Sequence, residues 1–352
     1  MIINSLCSGA HVARKPAPVV GIALALLAGI VAVAAEAAAR EGVRETPVGF
    51  ASHSPFSLAD VGRGPERDPP TRAAAVLFEP STPAAGRPRP AVILLHGAAG
   101  VLAPREIAYG RRFAERGIAA LVVDAFASRR DRGRGFVERL LNITEAMLIA
   151  DAYAGLRFLA GRAGVDPRRV ALIGFSYGGM AAMYAAYAQV AERYAGSGLR
   201  FAAHVAYYAP CIADFEDDRT TGAPLLMLSG SEDAIVDSGR CRAVAEEMRA
   251  GGSIVERIEY AGGYHQWDGR FDGPFKIGRN LAPCRFRVGR DGTVRDRRTF
   301  LPIVNPFFRK VALALCADDE GYLIGRSARI RARSDRDVAR FLRRAFAPGD
   351  PA

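Results

Sequence analysis

The stretch Arg169 to Met180, RVALIGFSYGGM, constrains this chain more than any other. Val170, Ala171, Leu172 and Ile173 form an unbroken apolar run, which suits a parallel strand covered on both faces and not the alternation of a strand with one face in water. Gly174-Phe175-Ser176-Tyr177-Gly178 follows at once, and Ala181 to Val190 then reads as a helix. A G-x-S-x-G pentapeptide alone says little in a chain rich in Ala and Gly. Between a buried strand and a helix it predicts a sharp turn, with Ser176 in a strained backbone conformation and small neighbours that let strand and helix approach. Such a turn lifts the Ser176 hydroxyl above the sheet edge. It also aims the Tyr177 backbone N–H into the same space above the helix N-terminus, so that negative charge developing there meets a donor and a positive helix end.

The remaining elements arrange themselves around that turn. Arg72 to Glu79 and Ala91 to Leu95 read as strands, with the proline-bearing segment Ser81 to Pro90 as the surface turn between them. The second strand delivers His96-Gly97-Ala98-Ala99-Gly100, whose small residues allow close backbone approach; Ala98, with Gly97 next, is the expected second oxyanion donor. His96 is expected to order this loop. Pro104 to Arg116 reads as a helix, Ile118 to Val123 as a strand. Asn142 is expected to cap the next helix while Glu145 reaches back, and Leu148, Ala152, Leu156 and Leu159 to form its single apolar stripe. Strands follow at Phe201 to Ala209, Pro224 to Leu228 and Ile254 to Tyr260, with a helix over Ser238 to Arg249. The alternation predicts an α/β fold with a mostly parallel sheet and helices on both faces.

Of the five histidines, only His204 and His265 follow Ser176. His204 lies inside an apolar strand and is expected in the core. His265 sits in the loop Gly262-Gly263-Tyr264-His265 beyond the last strand, where a base could reach across to the serine. Gly230-Ser231-Glu232-Asp233 ends the preceding strand, and Asp233 is favoured over Glu232 and Asp237 as the third member because it stands immediately after the strand end. Serine is a weak nucleophile at neutral pH, so this pattern assigns His265 to take its proton and Asp233 to hold the imidazole.

The formal net charge is +11, but the basic residues are almost all Arg, scattered and without interleaved aromatic residues. That pattern argues against nucleic acid and for a basic surface, with anionic surfaces or substrates as the weaker preference. Arg14 and Lys15 precede the apolar run Val19 to Ala35, and Ala35-Glu36-Ala37 fits a signal-peptidase site, so export is expected, with an uncleaved membrane anchor as the alternative. Cleavage near Ala37 or Ala39 removes Cys7 and leaves Cys211, Cys241, Cys284 and Cys316, an even number that fits disulfides in an oxidising compartment in any of three pairings. No cysteine lies two to four residues from another, so no metal site is expected, and no cofactor.

Taken together, LLHGAAG at Leu94 to Gly100, VVDAFASR at Val122 to Arg129, VDPRRVALIGFSYGG at Val165 to Gly179, LSGSEDAIVD at Leu228 to Asp237 and YAGGYHQWD at Tyr260 to Asp268 resemble the dienelactone hydrolase family of α/β-hydrolases. The resemblance runs from about Ala74 to Trp267. Founding members carry Cys at the position of Ser176, so this chain looks like the serine branch, for which the resemblance implies ester hydrolysis without naming the ester. It also implies that Cys211 and Cys241 form a staple near the acid.

The chain is therefore divided into a signal and cleavage region (1–39), an extended lead-in (40–70), a hydrolase core (71–268) and an extension with the other Cys pair and terminal helices (269–352). Gly97, Tyr264 and Trp267 are candidates for the substrate pocket, Trp267 equally for packing. Cys284 and Cys316 are expected to staple a flap beside the site, with a peripheral elaboration as the plain alternative. The function expected is that of an exported serine hydrolase acting on a small or polymeric ester. Peptide or amide cleavage on the same fold is the alternative within the class, and a non-catalytic exported binding protein the alternative outside it.

Overall fold

Eight strands pair into one sheet whose order, counted along the chain, is 1-2-4-3-5-6-8-9. The coordinates are those of a computed structural model and describe residues 42–82, 86–195 and 198–347; the expectations for the first 39 residues lie outside them. Strands β1 (Val43–His53), β2 (Pro70–Pro80) and β3 (Arg89–Leu95) are followed by helix α1 (Ala108–Glu115) and β4 (Ala119–Asp124). Helices α2 (Phe136–Asn142) and α3 (Glu145–Ala160) lead to β5 (Val165–Phe175), α4 (Tyr177–Tyr184), α5 (Ala188–Tyr194), β6 (Ala203–Tyr207) and the short β7 (Ala213–Phe215). Then come β8 (Leu225–Gly230), α6 (Ser238–Ala250) and β9 (Val255–Tyr260). The C-terminal extension adds β10 (Phe275–Ile277), β11 (Phe286–Val288), β12 (Val294–Asp296), α7 (Pro306–Cys316), β13 (Tyr322–Ile324) and α8 (Ala328–Ala345).

From β4 across to β9 every neighbouring pair is parallel, while β1 with β2 and β2 with β4 are antiparallel. This is the α/β-hydrolase arrangement. The apolar run that marks the elbow strand, Val170 to Ile173, is buried throughout between β3 and β6, as the absence of alternation requires.

Two local expectations differ from what folds. Of the residues expected as an extended lead-in, Val43 to His53 pair along their whole length with β2 as the edge strand of the main sheet, while Leu58 to Asp60 form a short 3-10 helix. Polar alternation on an edge strand conceals it from a search for apolar periodicity. Asn142 does not cap α3; it ends α2 and donates from its side chain to the Arg132 carbonyl at 2.6 Å, leaving Thr144 at the cap position. Glu145 turns outward to Arg309. Helix α3 also has no single stripe: eleven of its sixteen residues are buried, because it packs on β1, β3, β4 and β5 and also on α4.

Beneath this helix lies an ion pair that nothing in the sequence announces. Arg129 donates to both oxygens of Asp151, at 2.7 and 2.9 Å, and to Ser54 Oγ at 2.8 Å, with both charged groups buried. Ser52 Oγ donates to the same carboxylate at 2.6 Å, so β1 is tied to α3 through charge-assisted bonds. Cys211 bonds Cys241 and Cys284 bonds Cys316, the sequential pairing among the three. The first joins the loop after β6 to α6. The second closes the extension on itself, from the residues before β11 to the end of α7.

Candidate active site

The elbow forms for reasons contained in a few residues. Ser176 has φ 52° and ψ −108°, a conformation that costs a non-glycine residue about 1–3 kcal/mol and persists because its surroundings over-determine it. Its N–H donates to the Tyr207 carbonyl at 2.9 Å and its carbonyl accepts from Met180 N–H at 2.9 Å, so the backbone is held from β6 and from α4. A Cβ on Gly174 would stand 1.9 Å from the Gly178 carbonyl oxygen, and one on Gly178 would stand 2.4 Å from that of Leu95. Only glycine fits at either position.

The acid and the base arrive from two loops that are laced together. Ser231 N–H donates to the Tyr260 carbonyl at 3.0 Å and Glu232 N–H to the Gly263 carbonyl at 3.0 Å. This lacing sets Asp233, at the end of β8, beside His265, beyond β9. Asp233 Oδ2 lies 2.8 Å from His265 Nδ1, and His265 Nε2 lies 2.8 Å from Ser176 Oγ. His265 has no solvent exposure, Asp233 3% and Ser176 8%. The rival acids stand elsewhere. Asp237 caps α6 by accepting from Arg240 N–H and pairs with Arg285; Glu232 is exposed and accepts from Ser231 Oγ.

Two of the other described histidines, His96 and His204, have structural partners. His96 is buried, its Nδ1 2.8 Å from the Gly97 carbonyl and its ring against Phe126. His204 Nδ1 lies 2.9 Å from the Ala182 carbonyl, and burial pushes its pKa down to about 4 despite that bond.

On the oxyanion side, Gly97 approaches so closely that a Cβ there would be 3.6 Å from Ser176 Cβ and 3.2 Å from the Phe175 carbonyl oxygen. Gly100 N–H donates back to the Gly97 carbonyl at 3.0 Å and curls the loop. Among the described residues, the N–H groups of Tyr177 and Ala98 donate to no protein acceptor. Ala99 and Gly100 line a cleft of about 670 Å³ together with Arg130, Arg134 and Arg139.

Of the pocket candidates, Gly97 adjoins the serine and Tyr264 is partly exposed, its ring beside Gly325. Trp267 has no exposed surface and lines nothing. Its Nε1 donates to Ser334 Oγ of α8 at 3.2 Å, and its ring packs edge-on against Tyr208.

Several residues that hold the site escape any local pattern. The backbone of His265 is clasped by the extension: its N–H donates to the Leu323 carbonyl at 3.1 Å and its carbonyl accepts from Gly325 N–H at 3.0 Å. Its ring meets Tyr322 of the same strand, β13, edge-on at 5.2 Å, and Tyr208 at 4.8 Å. Tyr208 in turn donates to Asp268 at 2.6 Å. Burial raises the Asp268 pKa, against the opposing pull of Arg105 and Tyr208. Arg105 is itself wholly buried, donating to Glu106 at 2.7 Å with its guanidinium over the Phe175 ring. Burial would lower its pKa, but Glu106, Tyr208 and Asp268 outweigh that and keep it a cation.

On the elbow side, Arg309 of α7 forms a fork with Glu145, both bonds 2.9 Å, and reaches the Tyr177 hydroxyl at 3.3 Å. The only sequence signal for any of these is the reach of the extension past the His265 loop.

A family model described as the dienelactone hydrolase family matches residues 73–271. Among curated proteins, none matches the chain. Similar solved structures include a thermophilic esterase from the Planctomycetes species Thermogutta terrifontis, 19% identical, with 62% of this chain and 84% of that one aligned at a TM-score of 0.45. Another is a dienelactone hydrolase-like promiscuous phosphotriesterase from metagenomic libraries, 21% identical over 63% of this chain and 84% of that one, at a TM-score of 0.45.

Proposed function

Because this chain belongs to the dienelactone hydrolase family and carries serine at the elbow, it is a serine hydrolase of carboxylesterase type, and we propose that it is exported and cleaves carboxylic esters through Ser176, His265 and Asp233. The observation that carries this reading is the placement of one imidazole 2.8 Å from both the hydroxyl and the carboxylate. With its Nδ1 proton donated to Asp233, His265 accepts the Ser176 proton at Nε2 as Oγ bonds to the ester carbonyl carbon. The carbonyl oxygen becomes an anion facing the Tyr177 and Ala98 N–H groups, each such donor being worth about 3 kcal/mol of barrier in comparable sites. His265 then protonates the departing alkoxide, which leaves as the alcohol. The same imidazole deprotonates a water that attacks the acyl-serine, releasing the acid and restoring the Ser176 hydroxyl.

Two disulfides, and an N-terminal basic and apolar segment of signal-peptide type, support export. A fluorophosphonate probe and a panel of p-nitrophenyl esters test the reading. Labelling and turnover are expected in the wild type, with Ser176→Ala lowering kcat by about 10⁵ to 10⁶ and abolishing labelling. Turnover that survives Ser176→Ala, or a folded protein that neither labels nor turns over any ester, rejects it.

A further inference from the structure

Nine large hydrophobic side chains are exposed among the described residues, and six of them, Phe136, Val137, Phe300, Val304, Phe307 and Leu315, each between 49% and 66% exposed, lie on α2, on α7 and on the segment just before α7. Their elements are fastened to one another. Helix α2 packs against α7, and Arg309 Nε of α7 donates to the Leu140 carbonyl of α2 at 3.0 Å. Arg298 donates to the Leu315 carbonyl at 3.1 Å, drawing the Phe300 segment to the far end of α7. Exposed apolar side chains on elements fastened to one another mark a contact site and not a lapse of packing.

Among the described side chains around it that have no ion-pair partner, cations outnumber acids: Arg130, Arg134, Arg295, Arg298 and Lys310 against Asp131, Glu138 and Glu320. Lys310 stands on the same helix as Phe307, Arg295 lies opposite Pro302 on the approach to Val304, and Arg130 lines the cleft together with Ala99 and Gly100. All three are exposed, and none has an ion-pair partner among the described residues. Of the nearby acids, Glu138 is turned back onto the Arg134 and Gly135 N–H groups of its own helix start, Asp131 is exposed at the cleft beside Arg130, and Glu320 is exposed beyond the end of α7. A second copy of the chain docking by the same face would set like charges against like across a two-fold axis. An anionic surface that also accepts apolar side chains satisfies both features.

We propose that this face docks on an anionic phospholipid surface, with Phe136 and Phe307 entering the headgroup boundary, and that the esters cleaved are ones held in such a surface. The second half rests on the ester-hydrolase reading above. The geometry favours it because the docked elements are those that flank the site: α2 supplies Arg139 to the cleft beside Ala99 and Gly100, and α7 reaches the Tyr177 hydroxyl. Partition of aromatic side chains into the interface combined with attraction of cations to anionic headgroups is the physics of reversible surface binding.

The sole Trp, Trp267, is fully buried, so F307W places a reporter on the face, and the R295E/K310E comparison separates docking of this face from any attachment through the N-terminal segment. With vesicles of brominated phosphatidylglycerol, F307W emission is expected to shift to the blue and fall at least about twofold, while the wild-type signal from Trp267 is unchanged. Adding R295E and K310E should weaken the vesicle-dependent change about tenfold, and phosphatidylcholine vesicles should give little of it. F136D/F307D should lose about tenfold in turnover of a p-nitrophenyl ester carried in phosphatidylglycerol vesicles and keep turnover of a soluble short-chain ester. Unquenched F307W overturns the docking, as does a shift that follows protein concentration without vesicles, which identifies a second copy. Fluorophosphonate labelling in vesicle-free buffer is scored separately, so failure of the docking and failure of the ester-hydrolase reading are not confused.

Discussion

The nucleophile and the base of this site are held in place in opposite ways. Ser176 is positioned by its own neighbourhood: a buried strand, two glycines that admit no Cβ, and a helix that begins at the next residue. His265 is positioned from a distance, by the Leu323 carbonyl, the Gly325 N–H and the ring of Tyr322, all in an extension that follows it by more than fifty residues. The family match ends at residue 271, so the elbow half lies within what the family model covers and the clasp on the base lies outside it. A reactive turn needs only local strain and local relief, whereas an imidazole on a glycine-bearing loop needs something to lean on.

The extension also crosses to the elbow side through Arg309, and breaking that link should have the largest effect. Arg309→Met leaves the Glu145 carboxylate without its fork, which should cost about 3 to 5 kcal/mol in urea denaturation, and Glu145→Met in addition should recover much of it. If the single variant is neutral, the extension does not brace the elbow.

The local half should carry an acid sensitivity of its own. His204, on the strand beside the elbow strand, has its pKa pushed down from an ordinary value near 6.5 to about 4. Between those pH values the unfolded chain binds a proton there that the folded chain refuses, so stability falls as pH drops through the window, by about 3 kcal/mol in all. His204→Asn should flatten that part of a stability-versus-pH curve and leave neutral-pH turnover intact.

A smaller effect sharpens the claim that the turn is sterically sealed. Gly178→Ala puts a methyl 2.4 Å from the Leu95 carbonyl oxygen, and the displaced elbow should lose about a hundredfold in kcat/KM. The smallest effect tests the clasp. Tyr322→Ala removes the ring beside His265 but leaves the Leu323 carbonyl bond, so kcat should drop about tenfold with KM unchanged and Ser176 still reactive toward the probe. Equal losses in kcat and in fold stability would instead make Tyr322 ordinary packing.

The legible part of this protein is the part whose physics is short-range in sequence. An apolar run without alternation announced β5, small residues announced the approach of the Gly97 loop, and the order of serine, acid and histidine along alternating strands and helices pointed to three residues that the structure brings within hydrogen-bond reach. The errors were of the same local kind. Asn142 and Glu145 have the spacing of a helix cap, but Glu145 is drawn to Arg309, a partner 164 residues away. Trp267, which the sequence left equally to the pocket or to packing, is packing: it is fully buried against Ser334 of α8 and the rings of Tyr208 and Tyr260.

Strand-helix periodicity, the glycines of the elbow and the cysteine count follow from the sequence alone, because steric and hydrophobic preferences act between near neighbours. Which cysteines pair, what presses on His265, how Arg105, Glu106, Tyr208 and Asp268 come to share one buried cluster, and which large apolar side chains stay exposed were decided only by the tertiary structure. These contacts join residues far apart in the chain, and nothing in the local residue pattern records which distant side chain will be waiting.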